Sequence, residues 1–162
     1  MLKQGLPPIA NGETRLFILG SLPGDRSLEE AKYYAHPTNQ FWKLVGPIIG
    51  EDLHGMSYDR RLATLARHGI GLWDVVSAAR REGSADNAIR DASHNAIGGL
   101  KRDYPRLEAV AFNGGRAASD GRRLLAAVEG IQLYDLPSSS GRASMALAVK
   151  AAIWLALRKH VK

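Results

Sequence analysis

Four short apolar runs punctuate the chain, each bounded by glycine, proline or small polar residues: Thr14–Leu19, Gly71–Val76, Glu108–Phe112 and Ile131–Leu136. They are too short for helices, and runs of this kind belong to strands buried on both faces. Between them the apolar positions take helical spacing. Phe41, Leu44, Val45 and Ile48 share one face of a helix predicted over 39–49, with Thr38 as its cap and Gly50 at its end. Leu62, Leu65 and Ala66 do the same for a helix over 57–68, closed by Gly69. Ser27 and Glu30 have capping-box spacing and predict a short helix near 28–32. Further helices are expected over 96–104, ended by Pro105, over 116–128, and over 143–161 as a long amphipathic C-terminal helix. Pro7, Pro8, Asn11 and Gly12 make the first twelve residues an irregular arm. The polar stretch 80–95 reads as a long functional loop joining two core elements.

Alternating strands and helices, with no repeat or linker, predict one α/β domain over residues 1–162. Its expected form is a three-layer α/β/α sandwich around a central, mainly parallel four-stranded sheet with right-handed crossovers. The strands end in Gly20-Ser21, Asp74, Asn113-Gly114 and Pro137-Ser138. One edge is therefore assembled from several small or polar loops, and open α/β sheets bind ligands at that edge.

Composition narrows the chemistry. The chain has no cysteine, which excludes a disulfide framework, thiolate-held metals and a cysteine nucleophile. His36 has no carboxylate or second histidine beside it at ligand spacing, so neither a metal centre nor a cofactor is expected. No apolar run reaches the length of a membrane span, and no signal-peptide hydrophobic region is visible; the cytoplasm is the expected location. A net charge of +6 favours a polyanionic partner.

The richest stretch runs from Leu16 to Trp42. Gly20-Ser21-Leu22-Pro23-Gly24 follows the first strand as a stiff turn. It is not a phosphate-binding loop, because no Gly-Lys-Ser/Thr closes it, and it lacks the third glycine of a dinucleotide fingerprint. Tyr33, Tyr34, His36, Asn39, Phe41 and Trp42 then fall within ten residues. Aromatic faces stack on planar bases, while an imidazole and a carboxamide hold a water. His36 reads either as a structural histidine or as a member of a site. Asp74 and Asp86 read as acids or bases, or as a backbone cap and a solvated carboxylate. Asn113, at a strand end, suits reading a base edge or satisfying loop backbone. Pro137 to Arg142 lacks the glycine that a nucleophile elbow needs before its serine.

Gly20-Ser21-Leu22-Pro23-Gly24 resembles the first motif of the uracil-DNA glycosylase superfamily, and Leu136-Pro137-Ser138-Ser139-Ser140-Gly141-Arg142 stands where its second motif belongs. The run from His36 to Lys43 is similar to the mismatch-specific uracil-DNA glycosylases. The fuller pattern is Tyr33-Tyr34-x-His36-Pro37-x-Asn39-x-Phe41-Trp42, with Leu72-Trp73-Asp74-Val75 and Gly83-Ser84-x-Asp86. It is most similar to the hypoxanthine-DNA glycosylase branch, over roughly residues 14 to 145. Most of the superfamily carries a carboxylate or asparagine where Leu22 stands, and a histidine where Leu136 stands. The hypoxanthine branch shares both departures and relies on the asparagine matched by Asn39.

The resemblance implies a uracil-DNA glycosylase-like fold and a base-excision-repair enzyme acting on DNA that contains deaminated bases. Hypoxanthine leads as substrate, with uracil and xanthine behind. Asn39 would orient the attacking water, with help from His36. Gly20, Ser21, Leu22, Pro23 and Gly24 would form the pocket, Tyr34 or Phe41 would stack on the base, and Asn113 would bond its edge. Ser138, Ser139, Ser140, Gly141 and Arg142 would hold the DNA. No lysine is placed for a Schiff base, so strand cleavage is not expected. Two other readings remain open: an inactive binder of damaged or single-stranded DNA, and a nucleotide hydrolase of doubly wound fold.

Overall fold

Strand Leu16–Gly20 is apolar because both of its faces are covered, and the rest of the fold is arranged around it. The computed structural model describes residues 2–162. In chain order its elements are β1 (Leu2–Gln4), β2 (Leu16–Gly20), α1 (Asp25–Glu30), α2 (Phe41–Ile49), α3 (Tyr58–Arg67), β3 (Ile70–Asp74), β4 (Val76–Arg80), β5 (Arg90–His94), α4 (Leu100–Asp103), β6 (Ala109–Asn113), α5 (Gly115–Leu124), β7 (Gln132–Leu136) and α6 (Leu147–Trp154). The main sheet has the order β3-β2-β6-β7 and is parallel throughout.

Side chains alternate across β2. Leu16 and Ile18 pack with Phe41, Leu44, Val45 and Ile48 of α2, Leu65 of α3 and Trp154 of α6. Phe17 and Leu19 pack on the other face with Leu100 of α4, Ala117 of α5, and Val110 and Phe112 of β6. The result is the expected three-layer sandwich. Each of these large apolar side chains contributes roughly 1.5–3 kcal/mol by leaving water.

A second sheet, antiparallel and ordered β1-β4-β5, was not expected. The N-terminal arm supplies β1, and the supposed loop 80–95 supplies β5, paired to β4 with register shifts. A third apolar cluster lies under this sheet: Leu22, Val76, Ala79 and Ile89.

Helix ends also differ from expectation. Gly24, not Ser27, precedes α1, and the Ser27 hydroxyl accepts the Ala35 N–H instead. The α2 N-cap is Gln40, not Thr38, and makes no side-chain cap bond; just ahead of it, Asn39 Oδ1 accepts the Phe41 N–H at 3.0 Å. The helices expected over 96–104 and 116–128 are shorter, because Gly98-Gly99 form part of a tight 3-10 turn and α5 stops at Leu124. The C-terminal helix is not amphipathic. It passes into a 3-10 turn over Leu155–His160, and Leu147, Val149, Ile153 and Leu155 are exposed while Lys150 is buried. Among the described residues no helix is long and apolar enough to cross a membrane.

Candidate active site at the carboxyl edge of the sheet

Because the main-sheet strands are parallel, the loops after β2, β3, β6 and β7 all leave from one edge. They surround a cavity of about 730 Å³. Both proline-containing corners line it, Gly20 to Gly24 and Ser138 to Arg142. So do Tyr34, His36, Asn39, Asp74 and Asn113, together with Ser84 to Asn87 from the loop before β5. Phe41 does not: it is fully buried in the core.

The first corner is held by backbone and by one arginine. Val75 N–H donates to Gly20 O at 2.8 Å, and Val76 N–H to Ser21 O at 2.9 Å. Arg81 has its side chain wholly buried and donates to the carbonyls of Leu22, Pro23 and Gly83 at 3.3, 2.7 and 2.7 Å. It also reaches Asp25 Oδ1 at 3.4 Å. A turn as tight as Gly-Ser-Leu-Pro-Gly leaves carbonyls without strand partners, and a guanidinium satisfies several at once. Leu22 borders the cavity, but its side chain packs into the cluster under the small sheet. That packing explains an aliphatic residue at this place in the motif.

The second corner hangs on Asn113. Its Oδ1 accepts the Ser139 N–H at 2.9 Å, and its Nδ2 donates to Ser139 Oγ at 2.8 Å and Tyr34 Oη at 3.4 Å. The amide donors are thus committed to the protein rather than to a base edge. Ser139 is 1% exposed and turned inward, so it braces the loop instead of facing DNA. Ser139 O accepts the Gln40 N–H at 2.8 Å. Buried Lys150 donates to Gln40 Oε1 at 2.8 Å and Ser140 O at 3.1 Å, and burial pulls its ammonium below the ordinary lysine range. Gly141 packs directly on Thr38: a Cβ there would stand 2.6 Å from the Thr38 carbonyl. Arg142 is exposed and makes no ion pair among the described residues.

Tyr34 is the aromatic wall. Its φ of +53° is strained for a bulky residue, and packing holds it there. Its ring stacks on Phe41 with centroids 3.9 Å apart and planes 5° from parallel, and Trp42 Nε1 donates to its carbonyl at 3.2 Å. Phe41 therefore backs the wall rather than forming it. Burial first, and the Asp74 carboxyl second, keep the Tyr34 phenol protonated far above the usual range.

Asn39 is half-buried at the cavity edge. Its Oδ1 keeps a second lone pair after accepting Phe41 N–H, and its Nδ2 has no protein acceptor among the described residues. His36 is exposed; its Nδ1 accepts the Thr38 N–H at 3.2 Å and lies 2.8 Å from Thr38 Oγ1, which places any ring proton on Nε2.

Asp74 is neither a backbone cap nor solvated. It is 3% exposed, and its Oδ2 is sealed with no hydrogen-bond partner. Burial, then the nearby Asp86, push its pKa up to about 7 against a smaller opposing pull from Arg81. Gly20 makes room for it, since a Cβ on Gly20 would stand 2.6 Å from Asp74 Oδ1. Asp86 accepts the Ser21 hydroxyl at 2.5 Å. Among the described residues no three histidine, aspartate or glutamate side chains gather to hold a metal.

The strand-end corners of this parallel α/β/α sandwich thus enclose a carboxamide and an aromatic wall. The chain matches the Uracil DNA glycosylase superfamily over residues 7–158 and belongs to that family. Its curated relatives include a protein named hypoxanthine DNA glycosylase from Methanosarcina acetivorans, 42% identical over 99% of this chain and 100% of that protein. Another of the same name, from Methanosarcina barkeri, is 44% identical over 95% and 96%. The solution NMR structure of a candidate uracil DNA glycosylase from Methanosarcina acetivorans superposes with a TM-score of 0.86 at 42% identity, covering 99% of this chain and 98% of that one.

Proposed function

We propose that the chain acts as one domain and is a monofunctional DNA N-glycosylase of base excision repair. It removes hypoxanthine, with uracil and xanthine as lesser substrates, and leaves an abasic site. It works in the cytoplasm, on the cell's DNA. The observation that carries this reading is the meeting of Asn39 and both proline corners on one cavity. Two relatives that match it over nearly their whole length bear the name of this activity.

The base leaves the stack before it is cut, at a cost of a few kcal/mol that is smallest at mismatched or deaminated bases. Tyr34, braced from behind by Phe41, offers its remaining face to the extruded ring. The backbone of Gly20 to Gly24 approaches the base closely. Ser138, Ser140, Gly141 and Arg142 grip the flanking phosphates, which fixes register without reading sequence. Asn39 is neutral at every relevant pH, so it orients water rather than deprotonating it. Its spare lone pair accepts from a water aimed at the sugar carbon, and such positioning is worth several kcal/mol. His36 assists at the mouth.

The test is a panel of single- and double-stranded oligonucleotides carrying hypoxanthine, uracil or xanthine, with and without alkali. Cleavage at hypoxanthine only after alkali supports the reading. Cleavage without alkali contradicts a monofunctional enzyme. Binding with no base release from any substrate favours the inactive-binder reading.

A further inference from the structure

A buried carboxyl group with no partner is costly, whether charged or neutral. The fold nevertheless builds a compartment for one. Gly20 gives up its side chain so that Asp74 fits, and the carboxyl lines the cavity 3% exposed. Among the described residues no group bonds either side-chain oxygen: Oδ2 is sealed and unpartnered, while Oδ1, beside Gly20 on the cavity wall, is the oxygen that a cavity occupant can reach. The Asp74 carbonyl, by contrast, accepts Asn95 Nδ2 at 2.8 Å. An acceptor for a proton on Oδ1 must come from whatever fills the cavity.

Resting on the glycosylase reading above, we propose that Asp74 is a general acid that protonates the departing purine at N7. The groups around it suit that role. Asp86 carries the neighbouring charge and is fixed by Ser21, which disfavours a second charge on Asp74. Arg81, the nearby cation, is spent on three carbonyls and Asp25. Tyr33 and Tyr34, whose phenols are pushed upward by burial first and Asp74 second, stay neutral. An acid that gives up its proton near pH 7 is matched to work at neutral pH.

The step balances as follows. The C1′–N9 bond breaks with its electron pair going to the base, and the Asp74 proton goes to N7, so the base leaves neutral. The water held by Asn39 adds its oxygen to C1′. Its proton returns through the cavity to the Asp74 carboxylate, and the net reaction consumes one water.

The experiment is single-turnover base release by the full chain from duplexes carrying hypoxanthine or 7-deazahypoxanthine, between pH 5 and 9. Wild type and Asp74→Asn are compared, with duplex binding as a folding control. The wild-type rate on hypoxanthine should fall about tenfold per pH unit above about 7. Asp74→Asn should bind normally, release base roughly 10²- to 10⁴-fold more slowly, and lose that pH limb. The 7-deaza base should slow wild type to a similar degree and leave the variant almost unaffected. A variant with wild-type rate or an unchanged pH limb overturns the proposal, as does wild type indifferent to the N7 deletion. That last result needs no variant, so a misfolded Asp74→Asn does not protect the idea. Wild type that releases no hypoxanthine at all defeats the functional reading, and the role of Asp74 falls with it.

Discussion

Asn113 grips Ser139 twice, through the Ser139 N–H at 2.9 Å and its hydroxyl at 2.8 Å. β6 thereby fixes the corner that follows β7. Both partners are buried, so cutting Asn113 to alanine strands an N–H and a hydroxyl out of water. Each stranded group costs roughly 1–3 kcal/mol. Asn113→Ala should lower unfolding stability by about 2–4 kcal/mol in a urea titration and weaken DNA binding through the loosened corner. A variant as stable as wild type would mean that the pair is replaced by water.

Asn39→Ala removes both the group proposed to hold water and the side-chain hydrogen bond to the first N–H of α2. That bond is worth about 1 kcal/mol. Base release should fall at least roughly a hundredfold, while duplex binding stays within about threefold. Thermal melting separates the two losses. A small melting shift with full activity would remove Asn39 from the chemistry.

Arg81→Met leaves the Leu22 and Pro23 carbonyls without their side-chain donor, while Gly83 O keeps Lys3 Nζ at 2.6 Å. The expected penalty is about 3 kcal/mol or more, and the Gly20 to Gly24 corner should become the first region to exchange its amide hydrogens. Exchange protection unchanged over residues 20–24 would count against the clamp.

Arg142 has no carboxylate to hold it among the described residues, so its charge is available to a phosphate. Arg142→Ala should weaken binding to all duplexes alike and reduce the slope of log K against log salt by about 1. An unchanged slope would take Arg142 off the DNA.

Asp74 also makes stability depend on pH. Its folded pKa, about 7, lies above the ordinary 3.8, so between these values the folded state holds a proton that the unfolded chain releases. The contribution is complete below about pH 4 and is lost as pH rises through about 7. Asp74→Asn should flatten this part of the profile and be more stable than wild type at pH 8. Urea midpoints at pH 5 and 8 measure it; parallel profiles would mean that Asp74 titrates normally.

The sandwich was legible because β2 and β6 are apolar on both faces and end in glycine or asparagine. The small sheet was not. β5 reads Arg-Asp-Ala-Ser-His, and such a strand carries no alternation of apolar and polar residues to announce it. Arg81 lies in the polar, charged stretch read as a loop, and nothing local marks it, because its burial depends on carbonyls 58 and 59 residues away. The two corners were visible as turn residues at strand ends and Tyr34 as part of an aromatic run, while the roles given to Asn39 and to the second corner came from the family resemblance. The inward turn of Ser139 and the isolation of Asp74 are tertiary facts without a local signal. The C-terminal helix was misjudged for a different reason: its lysine is the buried residue and its leucine and valine neighbours the exposed ones.

Gly141 rests against the Thr38 carbonyl with no room for even a methyl group between them. The segment that carries Asn39 and the segment proposed to hold phosphates therefore cannot slide past one another. On the proposed reading, a strand of DNA would meet a gauge of preset width, with the distance from a gripped phosphate to the attacking water decided before any substrate arrives.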